Sequence, residues 1–135
     1  SISGAAGGCQ AEIGSASSMA AGALTYLQGG NCEQIATSAA MAMKNLLGLV
    51  CDPVAGLVEV PCVKRNVIGT VNAMACADMA MAGIVSRIPP DQVMDAMKEV
   101  GDKMDASLRE TALGGLAQTD EGMKIAEKMH ASYEN

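Results

Sequence analysis

Five cysteines are the residues of this sequence best suited to chemistry: Cys9, Cys32, Cys51, Cys62 and Cys76. A thiol is a small hydrophobe when buried and reduced, and a nucleophile or metal ligand once it loses its proton. Local sequence separates the five. Cys32 follows Asn31, a cap-type residue, and Cys76 stands inside a long Ala- and Met-rich run, so both are expected on helices, packed against neighbours. Cys9, Cys51 and Cys62 stand in Gly8-Cys9-Gln10, Cys51-Asp52-Pro53 and Pro61-Cys62-Val63, whose Gly and Pro bias the chain towards loops. Loop backbone beside helix ends can bend thiolates towards one metal and offer N–H groups to the sulfurs. A zinc site or a redox-inert [4Fe-4S] cluster usually wants four protein ligands, whereas three leave one iron open to substrate as a Lewis acid. No C-x-x-C occurs, and on spacing alone a second reading stands beside this one: five packing cysteines in a reducing compartment.

Other reactive groups are few. The one histidine, His130, falls near the end of a charged helical segment and is expected on the surface, whereas Ser-His-Asp chemistry needs a buried, oriented imidazole. There is no Walker loop or Gly-x-Gly-x-x-Gly fingerprint. The Gly-rich start (Gly4, Gly7, Gly8) lacks the preceding strand that a phosphate cradle needs.

The elements that must position the cysteines read as helices punctuated by Gly, Pro and Asn, with no alternating strand pattern. The first runs from Glu12 to Gln28 and stops at Gly29-Gly30. Asn31 then caps a second helix, with Gln34 in capping-box position, reaching about Leu47 with Met41, Leu46 and Leu47 on its buried side. Pro53, Gly56 and Pro61 make 48–62 a structured loop with one turn of helix inside it. Asn66 to Val85 is a long apolar helix whose Gly69, Ala73, Ala77 and Ala80 permit close helix approach. After Pro89-Pro90, Asp91 caps an amphipathic helix with a Val93, Met94, Met97, Val100 stripe. The chain breaks at Gly114-Gly115, and Thr119 caps a closing helix with Asp120 and Glu121 at its positive end. The expected fold is all-α: one helical domain over residues 1–135, a layered bundle with structured Gly/Pro loops carrying cysteines.

Half of the 135 residues are apolar, yet the only aromatics are Tyr26 and Tyr133, and the net charge is −6. The acidic balance and the lack of stacking rings argue against nucleic-acid binding. Charge is crowded: residues 1–90 carry nine charged side chains and the last 45 carry 15. The first two thirds therefore lack polar material to face water all round, and something outside the chain should cover them. Lipid is a poor cover, because Val67–Val85 is built of Ala, Met and Gly and holds Asp78 near its centre, at a cost of about 2.5–3.5 kcal/mol on insertion scales. A buried soluble helix is expected there. No basic region precedes an apolar core at the amino end, so no signal peptide is read, and Ser1 is expected to be a cut or processed end.

Longer motifs carry a resemblance. Gly8-Cys9-Gln10-Ala11-Glu12-Ile13-Gly14, the run from Leu49 to Cys62 with Cys51-Asp52-Pro53-Val54-Ala55-Gly56, then Arg65-Asn66, Asn72-Ala73 and Arg109-Glu110-Thr111-Ala112-Leu113-Gly114-Gly115, resemble the α chain of the bacterial iron-sulfur L-serine dehydratases. The resemblance covers nearly the whole chain. It implies a cytoplasmic carbon–nitrogen lyase of amino-acid degradation and gluconeogenesis, which converts L-serine to pyruvate and ammonia without pyridoxal phosphate. It also implies a [4Fe-4S] cluster on Cys9, Cys51 and Cys62, presenting one iron to the substrate hydroxyl, while Cys32 and Cys76 match no ligand position. Implied partners are L-serine, a β chain or amino-terminal segment, and further subunits in a homo- or hetero-oligomer.

Family α chains extend further at the amino end, so the chain is expected to be a carboxy-terminal, cluster-binding fragment. Some single-chain relatives use a cysteine near the carboxy end on the fourth iron, and Ser132-Tyr133-Glu134-Asn135 contains none. The motifs name no general base; Glu12 lies near Cys9 but equally suits a capping or pairing role. Two rival expectations remain: a non-catalytic helical interaction module, and an inactive fragment with free or oxidised cysteines.

Overall fold

In a computed structural model, which describes residues 1–133, the regular elements are helices and helical turns joined by irregular segments, and among the described residues the one strand-like pairing is a parallel bridge, Cys51 with Arg109. The elements are α1 (Gly4–Gly7), a π turn (Gln10–Gly14) running into α2 (Ser15–Leu27), α3 (Cys32–Lys44), a 3-10 turn (Val54–Gly56), α4 (Cys62–Met81), α5 (Pro90–Lys103), 3-10 turns at Ala106–Leu108 and Gly115–Gln118, and α6 (Asp120–Tyr133). The all-α expectation holds. Glu134 and Asn135, part of the tail noted above, lie outside the described residues.

Local signals placed several boundaries correctly. Asn31 Oδ1 accepts from Gln34 N, and Asn31 N donates to Gln34 Oε1, both at 2.9 Å, completing the capping box of α3. Replacing Asn31 with alanine is expected to cost about 1 kcal/mol, read as a lower urea midpoint. Thr119 Oγ1 accepts from Gly122 N at 3.1 Å at the start of α6. The turn expected between 48 and 62 is Val54–Gly56.

Other boundaries move. The first helix begins before Glu12, as the π turn at Gln10. α3 stops at Lys44, and Gly48, with φ of 87°, turns the chain three residues beyond Asn45. α4 starts at Cys62 and ends at Met81, not Asn66 to Val85, because Pro61 suits the position just before a helix, where its missing N–H costs nothing. Cys62 is thus the first residue of a helix and not part of a loop. Asp91 lies within the first turn of α5; Pro89 holds the cap position and Pro90, with its preset φ, is the first helical residue.

α2, α3 and α4 pack together around Ala21, Met41, Ala42, Ala73, Cys76 and Ala80. Gly69, Ala73, Ala77 and Ala80 are all buried, so α4 lies close on its neighbours. Polar groups within this apolar layer bind one another: Asn72 Nδ2 donates to Ser17 Oγ and to Ala42 O at 2.9 Å, and Ser17 Oγ donates to Gly69 O at 2.6 Å. Among the described residues, no buried side-chain nitrogen or oxygen is left without a partner. Val93 of α5 is buried and Met97 and Val100 half-buried, while Met94 is exposed.

The outward face of α4 is not covered within the chain. Val63, Val67, Ile68, Val71 and Met74 are each more than half exposed, and Met19 and Leu27 of α2 more so. The buried helix expected here is buried within the chain on one face only. Among the described residues no helix is long and apolar enough to cross a membrane.

Candidate functional site

Three of the five cysteines meet. Cys9, Cys51 and Cys62, at 1%, 4% and 8% exposure, form one buried cluster with Ile13, and Leu46 and Leu49 pack against it. The Cys9 thiol is within hydrogen-bonding contact of both Cys51 and Cys62. Cys32 lies exposed on the surface, and Cys76 belongs to the separate α2–α3–α4 core. His130 is exposed on α6, away from the trio.

Each sulfur is held by a different device. Cys9 sits between α1 and the π turn, and the next residue, Gln10, is 1% exposed and fully engaged. Its N–H donates to Leu49 O at 2.8 Å, its Oε1 accepts from Gly48 N at 3.0 Å, and its Nε2 donates to Met97 O at 3.0 Å. One residue thereby ties the Cys9 segment to the segment leading to Cys51 and to α5. Cys51 is gripped through its backbone: its N–H donates to Leu108 O at 2.8 Å and its carbonyl accepts from Glu110 N at 2.9 Å. Cys62 opens α4, where the positive helix end favours a thiolate.

Asp52 and Arg65 lock this arrangement. The Arg65 guanidinium donates to Val50 O at 2.9 Å and to Asp52 Oδ1 at 2.6 Å, and it also contacts the Cys9 sulfur. Asp52, 3% exposed, accepts from Leu116 N at 2.7 Å through its other oxygen. Gly115 is required for that bond: its φ is 59°, and a Cβ there would stand 2.3 Å from Asp52 Oδ2. Sequence motifs contained Gln10, Asp52 and Arg65 but assigned them no task; a buried Gln beside a cysteine, and an Asp–Arg pair flanking two of them, were the available signals.

Burial pushes the Cys9 thiol up to about 12, its hydrogen bond to Cys51 adds to this, and Arg65 opposes it. Burial raises Cys51 and Cys62 as well. Without a bound cation the trio is therefore a set of protonated thiols at neutral pH. Maleimide labelling at pH 8 should then mark Cys32 within minutes, with Cys9, Cys51, Cys62 and Cys76 at least tenfold slower until the fold is denatured. Equal rates at all five would contradict the burial.

A cavity of about 190 Å³ opens beside the trio, several times the roughly 30 Å³ share of one water. Cys51 and Cys62 form part of its wall, and Glu12, Asn66 and Glu110 stand round it. The capping or pairing role open to Glu12 is not taken up, since its carboxylate makes no hydrogen bond or ion pair among the described residues; nor does that of Glu110. Thiol and carboxyl side chains thus line the same cavity.

Fold and site together define an all-helical protein with a buried trio of thiols, two of which line a cavity shared with Glu12 and Glu110. The family model of the serine dehydratase alpha chain matches residues 1–117, which include every residue of this site, and the chain belongs to that family. It is 63% identical to the "Probable L-serine dehydratase, alpha chain" of Bacillus subtilis over 129 residues, 96% of this chain and 43% of that protein. It is 63% identical to the protein of the same name from Latilactobacillus sakei over 124 residues, 92% of this chain and 59% of that one. With "L-serine dehydratase 1" of Escherichia coli it shares 50% over 118 residues, 87% of this chain and 26% of that protein. The chain spans from about a quarter to three fifths of the length of these relatives.

Proposed function

We propose that this chain is the cluster-bearing part of an L-serine dehydratase, which deaminates L-serine to pyruvate and ammonia with a [4Fe-4S] cluster held by Cys9, Cys51 and Cys62. The observation that carries the reading is the meeting of three buried thiols beside an open cavity, in a chain whose relatives are named for serine dehydration. The donor set suits such a group in kind and number. Among the described residues no three Cys, His, Asp or Glu side chains could hold a single metal ion. A cluster is less demanding, since each thiolate binds its own iron and the sulfurs need not converge on one point.

When bound, the cluster supplies a Lewis-acid iron that polarises the substrate hydroxyl as a leaving group. The protein's part is to hold and enclose. Gln10, Asp52 and Arg65 fix the three cysteine-bearing segments relative to one another. Arg65 stands as a fixed positive charge against Cys9, where it favours the thiolate state that ligation requires. Leu46 and Leu49 exclude water behind the sulfurs.

The exposed apolar face of α4, with Met19 and Leu27 of α2, is the surface that a further part of the α chain or a β chain would cover, within a cytoplasmic enzyme. Anaerobic purification of the full-length protein containing this chain should yield about four irons and four acid-labile sulfides per α subunit, with oxygen-sensitive serine turnover. Turnover that persists with no iron bound would overturn the reading.

A further inference from the structure

We propose that Cys9 is a redox modification site, the resolving cysteine that closes a reversible disulfide with Cys51 or Cys62 when the trio carries no cluster. The same sulfurs serve as in the reading above, but the chemistry is separate, so each can fail without the other. The Cys9 thiol is within hydrogen-bonding contact of both Cys51 and Cys62, whereas among the described residues no such contact joins Cys51 to Cys62. Cys9 is therefore the one sulfur within reach of either neighbour. Bonds that involve no metal keep it there. Gln10, the next residue, donates from its N–H to Leu49 O at 2.8 Å and accepts at Oε1 from Gly48 N at 3.0 Å, just before Cys51 in the chain.

Access divides the trio differently from contact. Cys51 and Cys62 line the cavity of about 190 Å³, and Cys9, 1% exposed, does not. A small oxidant entering the cavity, such as hydrogen peroxide, meets Cys51 or Cys62 first, and whichever it oxidises has Cys9 beside it. The other two cysteines lack such a neighbour. Cys32 is exposed on the surface, and Cys76 lies in the separate α2–α3–α4 core, where its sulfur contacts Asn45 and Asn72. Contact and access together make Cys9 the resolving thiol and the cavity cysteines its two alternative partners.

In the first step the peroxide O–O bond breaks, one OH passes to the cavity sulfur to give a sulfenic acid, and the other OH leaves as water with the thiol hydrogen. In the second the Cys9 sulfur bonds to the sulfenic sulfur, the S–O bond breaks, and the OH leaves as water with the Cys9 hydrogen. Two thiols thus lose two electrons and two protons, and one peroxide becomes two waters. A thiol reductant of the glutathione class reverses the bond by exchange. A disulfide offers no thiolate for iron, so loading waits on reduction. The bonded sulfurs are meanwhile held short of sulfinic acid, which such thiols do not reverse.

The test uses the full-length protein with its partner chain, if one copurifies, carrying Cys32→Ala to remove the exposed thiol. Iron is stripped anaerobically with a chelator, hydrogen peroxide is added, remaining thiols are blocked, and tryptic peptides are weighed. Cleavage after Lys44 and Lys64 makes the map decisive, because Cys51 and Cys62 share the peptide 45–64 and Cys9 falls on the one before it. The expected product is a cross-link between these two peptides, two hydrogens lighter than their sum, with one cavity cysteine left free. Cys51→Ala and Cys62→Ala should each keep a cross-link, and Cys9→Ser should lose it. The oxidised protein should take up at least tenfold less iron than the same sample after thiol reduction. A Cys51–Cys62 link inside peptide 45–64 as the main product overturns the assignment. So does a cross-link undiminished in Cys9→Ser, or sulfinic acid at the cavity cysteines with no cross-link. Reduced protein that takes up no iron overturns the cluster reading alone, and the peptide map still decides the disulfide.

Discussion

Asp52→Ala is expected to destabilise the protein by about 3–5 kcal/mol, the range for removing one member of a buried ion pair. The carboxylate is 3% exposed and engaged at both oxygens, by the Arg65 guanidinium at 2.6 Å and by Leu116 N at 2.7 Å. Its loss leaves a largely buried guanidinium uncompensated beside Cys9 and frees the 115–118 turn from the Cys51 loop. Gly115→Ala should have an effect of the same order by the reverse route, driving a methyl group into Asp52 Oδ2 from a left-handed backbone. Both are read from urea denaturation, alongside the maleimide labelling rate of Cys51, which should rise as the loop loosens. A double substitution, Asp52→Ala with Arg65→Met, should cost less than the two single losses added, because it removes the stranded charge. Strict additivity, or a single loss below 1 kcal/mol, would show that Asp52 does not hold the site together.

The cysteine series should divide sharply. Cys9→Ala, Cys51→Ala and Cys62→Ala are each expected to lower bound iron and sulfide after anaerobic reconstitution by more than tenfold, because two thiolates cannot anchor what three do and a buried thiol cannot be replaced by water. Cys32→Ala should load like the parent, since its side chain is exposed and remote from the trio. Cys76→Ala should load as well, with some loss of stability, because its sulfur is fully buried in the α2–α3–α4 core. The measurement is iron and sulfide per chain together with visible absorption. If Cys76→Ala emptied the site as Cys9→Ala does, the division into ligands and packing residues would be wrong.

Much of the fold was legible because its rules are local. A capping box spans four residues, Thr119 lies beside the turn it caps, and small residues three or four apart on α4 share a face whatever packs there. The start of α4 was misplaced because Pro61 can end a loop or precede a helix, and sequence alone does not choose. The special separation of Cys9, Cys51 and Cys62 from the other cysteines was legible from Gly and Pro context, although Cys62 proved to open a helix. Gln10, Asp52 and Arg65 were not assigned, since their partners lie far along the chain: Met97 is 87 positions from Gln10, and Leu116 is 64 from Asp52. No period or spacing encodes such a bond. The left-handed backbone at Glu110 was likewise invisible, because glutamate does not favour it and the bond that accompanies it, Glu110 N to Cys51 O, joins distant parts of the chain.

Those long separations also bear on the order of assembly. Contacts between α2 and α4 span 52 and 55 positions, whereas Gln10 reaches Met97 across 87 and Asp52 reaches Leu116 across 64. Contacts between distant parts of a chain form slowly, since the entropy of loop closure must be met before the contacts return it. The bonds that tie the cysteine segments to α5 and to the 115–118 turn are thus expected to close after the helix layer. Until those bonds close, Cys51 and the segment beside it are expected to be more open to solvent than in the finished fold.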